Sequence, residues 1–246
     1  MEEIFPSKKY LSFTADPLEH RMSAASIELR KRVLSSLGAV IPVLDIEFFH
    51  APVQLSIGGS AHIELEPDER ANLVTTDFFV DYVIATVSLS EKYALQFSAG
   101  HSSDHFSDNW YEFLKLQKSL IYSRDYVKGF VVKTFEEEHS KLYLGAVYAY
   151  YFIINHETFH PWTFQCGGEK SIEWVKNFPE FFFALDLKFM QQIYYTASQS
   201  YQIGIRYSKS EREYRIAYQF QNGADPRGQY YQQHRRFHSI GLYIEL

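Results

Sequence analysis

A chain of 246 residues with a formal charge of −6 and no basic stripe lacks the footprint of a nucleic-acid binder. Its one cysteine, Cys166, excludes an internal disulfide and a cysteine-based metal site, and no apolar run reaches the roughly 18 residues of a transmembrane helix. What remains is an aromatic-rich chain, with 19 Tyr and 21 Phe, long enough for one large all-β domain or two small ones.

Met1-Glu2-Glu3 is not the basic start of a signal peptide, so the leader of an exported chain is expected to be missing from this sequence. Residues 1–22 hold two prolines and no lasting period, and are expected to form a tail or plug segment. From residue 23 to 246 the dominant signal is a period of two. It predicts twelve strands, at about 23–32, 37–49, 52–66, 76–89, 92–104, 118–134, 140–154, 162–174, 180–192, 199–209, 212–222 and 235–246. The third alternates Gln54, Ser56, Gly58, Ser60, His62 and Glu64 with Val53, Leu55, Ile57, Ala61, Ile63 and Leu65. The last three are the cleanest. Tyr201, Ile203, Ile205 and Tyr207, then Tyr214, Ile216, Tyr218 and Phe220, then Ile240, Leu242, Ile244 and Leu246 form apolar faces opposite polar ones.

The links alternate in length. Short charged turns, such as Ser90-Glu91-Lys92 and Lys209-Ser210-Glu211, trade places with longer stretches such as 105–117 and 222–234. Outer-membrane barrels have this asymmetry, with short periplasmic turns and long outer loops. The expected fold is therefore all-β: a single twelve-stranded antiparallel transmembrane β-barrel in a bacterial outer membrane, both termini periplasmic. A soluble antiparallel barrel or sandwich with wet polar faces is the alternative. The scarcity of charge on the apolar faces favours the membrane. Asp45, Glu47, Asp81, Asp186, Lys188 and Arg206 fall on inner faces, where a polar lumen would let them pair.

Several segments carry candidate chemistry. If alternation from Tyr93 to Ala99 continues, His101 and Ser103 point outward and Ser102 and Asp104 inward. His and Ser two apart on one strand face lie within hydrogen-bond reach, the arrangement of a general base and its nucleophile. The same residues also suit a polar loop edge at the lipopolysaccharide level. On the next strand Arg124 is expected outward, toward lipid. Arg227, with Arg235 and Arg236, has the chemistry to hold lipid phosphates, although Asp225-Pro226-Arg227-Gly228 is also turn chemistry. Asp104 and Asp108 are the acids nearest the His–Ser pair for a calcium ion. His156 to His160 has zinc-like spacing only on a helix, and a polar outer loop fits it better.

The strings Ile4-Phe5-Pro6 with Ala15-Asp16-Pro17, Gly100 to His105, Ser123-Arg124-Asp125-Tyr126-Val127, Asn222 to Tyr231 and Gly241-Leu242-Tyr243-Ile244, in this order, resemble the uncharacterised bacterial family called domain of unknown function 1207. The resemblance implies an exported outer-membrane barrel and no activity. The His101-x-Ser103 arrangement looks, in part, like the outer-membrane phospholipase A family. That family is a twelve-stranded barrel with a lipid-facing His–Ser pair, an Asn orienter on the next strand and calcium-dependent dimerisation. The Gly-Arg expected after the Ser is replaced by Asp104-His105, and Asp104 has the wrong parity to orient the imidazole, so an acceptor must come from the neighbouring strand or loop. Three functions follow. The chain is a structural or narrow-pore barrel, or an outer-leaflet lipid esterase of Ser-His type, or a loop-based adhesin. The partners expected are outer-membrane lipid and lipopolysaccharide, protein partners being unknown. No cofactor is expected, and calcium enters only with the esterase.

Overall fold

The computed structural model describes residues 6–27, 32–67, 72–107, 122–135, 139–154, 160–175, 178–191, 194–209, 212–230 and 233–246. The chain forms β1 (Met22–Ile27), β2 (Arg32–Phe48), β3 (Ala51–Glu66), β4 (Asn72–Ser88), β5 (Tyr93–Phe106), β6 (Tyr122–Phe135), β7 (Ser140–Ile154), β8 (Trp162–Ile172), β9 (Glu180–Met190), β10 (Thr196–Lys209), β11 (Arg212–Ala224) and β12 (His234–Glu245). Each strand pairs antiparallel with its sequence neighbour, and β1 pairs with β12, so the twelve strands close into a barrel with no free edge. The tight β2–β3 link is a two-residue turn in which Phe49 and His50 both take positive φ, 48° and 64°. Such turns match the right-handed twist of the strands they join. The first hairpin differs from the expected division, because β2 begins at Arg32, where the sequence pattern alone ran the first strand on.

The barrel is apolar outside and polar inside. Leu37, Ile57, Phe97, Val131, Leu144, Phe183, Ile203, Ile216 and Leu242 are exposed, while Gln54, Glu64, Asp81, Asp186, Gln202, Arg215 and Glu245 are buried. In water this arrangement would waste the hydrophobic effect. It is the distribution required when the outer solvent is hydrocarbon.

The lumen is filled from both ends. At the end that carries the termini, residues 7–21 run inside the wall. Gln54 and Gln96 grip this segment by its backbone. Lys9 N donates to Gln54 Oε1 at 2.6 Å and Gln54 Nε2 donates to Ser7 O at 2.7 Å. Leu11 N donates to Gln96 Oε1 at 2.6 Å, and Gln96 Nε2 returns a bond to Leu11 O at 3.2 Å. Phe13 stacks on Tyr143 with ring centres 3.8 Å apart and meets Phe130 edge-on. Ala15 joins Phe182, Ala184, Ala217 and Tyr243 in a second apolar cluster. At the opposite end the β11–β12 connection folds inward, burying Asp225, Arg227 and Tyr230.

Candidate functional site

The polar group on the outer face is built by two neighbouring strands. β5 alternates without a bulge from Tyr93 to Asp104, so His101 and Ser103 face outward and Gly100, Ser102 and Asp104 face in. β6 pairs with β5 in unbroken register, which sets Asp125 directly opposite His101 and Ser123 directly opposite Ser103. His101 Nδ1 lies 2.6 Å from Asp125 Oδ1, and the two side chains are 35% and 29% exposed. With an ionised carboxylate there, the proton sits on Nδ1, which leaves the Nε2 lone pair free to act as a base. The other neighbours in these rows are apolar. Val80 and Phe78 lie opposite His101 and Ser103 on β4, and Tyr151 lies opposite Asp125 on β7. β-Bulges flank the group on both sides, at Tyr82 in β4 and Tyr150 in β7, where the register shifts. Bulges re-aim side chains and are common beside functional sites. A carboxylate on a lipid-facing surface is costly, so its placement calls for a role.

The lumen holds a second, larger polar assembly. Asp81 accepts from His20 Nε2 at 2.9 Å, Tyr126 Oη at 3.0 Å and Lys128 Nζ at 3.0 Å. His20 Nδ1 also reaches Ser60 Oγ at 2.8 Å. A Cβ on Gly58 would lie 2.7 Å from the His20 ring, so glycine leaves the room the segment needs. Lys188 binds Asp16, and Gln165 Nε2 donates to Asp16 Oδ2 at 2.8 Å and to Asp186 Oδ2 at 2.6 Å. Burial opposes ionisation of Asp16, but the Lys188 charge overrides it and holds the carboxyl down to about 2. Arg21 and Arg215 both reach Glu245 Oε1, at 3.4 and 2.7 Å. Arg206 lies 3.3 Å from both Glu169 and Glu213 and stands over the Phe182 ring. At the far end the buried Glu64 accepts from Arg32 at 2.5 Å, Arg227 at 2.7 Å and Arg235 at 3.2 Å. Asp225 takes Arg227 Nη2 at 2.7 Å and Arg235 Nη1 at 3.1 Å. Burial works against the Asp225 anion, yet Arg227 holds its carboxyl below the ordinary range. Burial and the Glu64 charge push the Tyr230 phenol up to about 12.

Residues 7–245 match the model of a family described as protein of unknown function DUF1207. The chain belongs to this family. No curated protein sequence matches it. Its fold is similar to that of outer membrane phospholipase A from Escherichia coli, at 10% identity and a TM-score of 0.53, covering 100% of this chain and 94% of that one. The calcium-bound dimer of the Salmonella typhi outer membrane phospholipase gives a TM-score of 0.53 at 9% identity, over 100% of this chain and 94% of that one. The KdgM porin aligns at 9% identity with a TM-score of 0.46, over 92% of this chain and 98% of that one.

In this DUF1207 barrel Asp45, Asp81, Asp186, Lys188 and Arg206 face the inside, Asp45 at the open mouth with Lys9 at 2.8 Å. Several sequence expectations need correction. Glu47 is not in the lumen but exposed at the rim, 3.3 Å from His50 in the neighbouring turn. Arg124 faces inward, over the Tyr122 ring and 3.4 Å from Ser102 Oγ, not toward lipid. The parity of β6 was inverted because Tyr122, Tyr126 and Phe130 look like a lipid face. They are buried because Phe130 meets Phe13 of the inner segment, Tyr126 bonds Asp81 across the lumen, and Tyr122 lies under the β11–β12 connection at Gly228. Arg227 and Arg235 are spent on Glu64 and Asp225, so neither is a free phosphate ligand. Arg236 alone of the three is on the outer face, over the Phe220 ring. Asp104 is buried on the lumen side beneath the β11–β12 connection, where a Cβ on Gly228 would overlap its carboxylate. It cannot join Ser103 around a calcium ion. Asp108 and residues 156–159 lie outside the described residues. Among the described residues no group of three or more His, Cys, Asp or Glu side chains is placed to hold a metal. The residue missed was Asp125. It lies in the string Ser123-Arg124-Asp125-Tyr126-Val127, but its facing is fixed by the β5–β6 register across a long connection.

Proposed function

We propose that this chain is a bacterial outer-membrane barrel, closed through its middle, that cleaves acyl esters of membrane lipid at Ser103. The observation that carries the reading is the outward His101–Asp125 bond of 2.6 Å, two residues along β5 from Ser103, with Val80, Phe78 and Tyr151 as its neighbours on the flanking strands. Asp125 fixes the ring with Nε2 unprotonated. Nε2 then takes the Ser103 proton as Oγ attacks the ester carbonyl carbon, and returns it to the leaving alcohol. Water hydrolyses the acyl-enzyme by the same base. Ser123, directly across from Ser103, supplies an O–H for the developing oxyanion. With the termini on the periplasmic side, the long connections lie outside and the trio sits in the outer-leaflet half of β5. There glycerophospholipid and lipopolysaccharide are the ester substrates within reach.

The test is lipid hydrolysis by the purified barrel in mixed micelles, with and without calcium. Ser103→Ala should abolish turnover and leave the heat-modifiable gel mobility of a folded barrel unchanged, since a rim hydroxyl adds little to stability. An active alanine variant would end the esterase reading. A second reading, a narrow pore gated by residues 7–21, is supported by the way this segment is held. Its grip is mostly polar, through amide brackets and ion pairs that water can replace.

A further inference from the structure

Below His101 and Asp125 the lipid-facing wall carries small side chains. One row toward the terminus end, Ala99, Val127, Tyr148 and Trp162 lie side by side on β5 to β8. The next row holds Ala85, Phe97, Gly129 and Ala146. The row after it, Val87, Leu95, Val131 and Leu144, is large again. The small residues leave a depression of about 550 Å³, within the range of ligand pockets. The Tyr148 and Trp162 rings, with centres 4.7 Å apart, bound it on the β7–β8 side. The Phe97 ring already rests on Gly129, 3.4 Å from the place of a Cβ, and the hollow is what remains beside it. Lys128, the charged residue of its lining, turns its ammonium inward to Asp81 at 3.0 Å, so the surface a ligand meets is apolar.

Position decides the occupant. A strand rises about 3.3 Å per residue, so the hollow starts about 7 Å below the His101–Asp125 pair and about 13 Å below Ser103. An ester held at Ser103 sends its acyl chain down this wall, toward the bilayer centre. The chain passes from hydrocarbon to hydrocarbon, so it gains no hydrophobic free energy by lying in the hollow. What it gains is a fixed path. A chain held along the wall presents its ester carbonyl to Ser103 in one orientation, and orientation speeds attack.

We infer that this hollow is the acyl subsite of the Ser103 centre and makes it selective for esters of long-chain fatty acids. The inference rests on the esterase reading and adds to it a choice of substrate. A hexadecanoyl chain reaches through both rows, whereas a hexanoyl chain ends above Ala99.

The test is the ratio of kcat/KM for hexadecanoyl and hexanoyl esters of one alcohol, presented at equal mole fraction in the same detergent micelles. Wild type should prefer the long chain. Ala146→Phe places a ring in the hollow and should lower the ratio about tenfold, the low end of what a hydrophobic pocket yields for a change of fit. Ala85→Phe fills it from the β4 side and should act alike, so either variant with the heat-modifiable mobility of a folded barrel suffices. Leu144→Phe alters the lipid face one row lower, outside the hollow, and should keep the wild-type ratio. A wild-type ratio near one, a ratio unmoved in a folded filling variant, or an equal fall in Leu144→Phe would overturn the subsite and leave the esterase standing. A wild-type barrel that hydrolyses neither ester would overturn the esterase reading itself.

Discussion

Replacing Asp125 separates an esterase trio from a chance polar contact. The carboxylate does two things in the proposed reaction: it fixes the imidazole tautomer and it stabilises the imidazolium that forms as Ser103 attacks. Two unit charges about 4 Å apart at an effective dielectric of about 20 interact by about 4 kcal/mol. The side chains are 35% and 29% exposed, so some of this is lost to screening, leaving about 3 kcal/mol. At about 1.4 kcal/mol per tenfold, Asp125→Ala should lower kcat/KM about a hundredfold. Asp125→Asn keeps an oxygen that can accept the Nδ1–H bond but carries no charge, so it loses the same interaction with the imidazolium and should also fall about a hundredfold. The assay is initial-rate release of fatty acid from phospholipid in mixed micelles, alongside Ser103→Ala as the zero. If Asp125→Ala stays within threefold of wild type while Ser103→Ala is dead, Asp125 does not orient the base, and the argument from the 2.6 Å bond fails.

Removing residues 1–20 should convert a silent barrel into one with discrete conductance steps in planar bilayers, because the amides of Gln54 and Gln96 and the acids Asp81 and Glu245 would then face water. Persistent silence would mean that the β11–β12 connection alone seals the lumen. Asp16 has a carboxyl held down to about 2 against an ordinary 3.8. A depressed acid contributes its stability in full above the ordinary value and loses it as pH falls toward the folded one, on the order of 2 kcal/mol here. Cleavage of the inner segment by pepsin should therefore rise between about pH 4 and pH 2, and Asp16→Asn should show at pH 4 and above the accessibility that wild type gains only on acidification. Glu64→Gln removes the shared partner of three arginines at a fully buried position and should destabilise the barrel by about 3 kcal/mol in denaturant titrations in micelles. A loss below about 1 kcal/mol, the range of exposed pairs, would show that the cluster is hydrated.

The period of two, by itself, determined the strand number, the closed antiparallel order and which face of most strands meets lipid. The reason is that a membrane barrel has one simple rule, apolar out and polar in, and each strand obeys it locally. It also fixed His101 and Ser103 as outward, because β5 carries no bulge between Tyr93 and Asp104. The rule fails where the lumen is filled by protein. Tyr122, Tyr126 and Phe130 are aromatic and yet inward, because Gly228 of the β11–β12 connection, Asp81 and Phe13 in turn offer them partners that only the folded chain brings near. The inverted parity hid Asp125 and made Arg124 look lipid-facing. Arg227 and Arg235 read as surface cations for the same reason, since Glu64 lies more than 160 residues away along the chain. Pairing across such separations is set by strand register and by how two stretches outside the strands, residues 7–21 and 225–230, settle into a lumen. Neither leaves a periodic trace, so the tertiary structure alone decided which charges neutralise each other and which few remain facing the membrane.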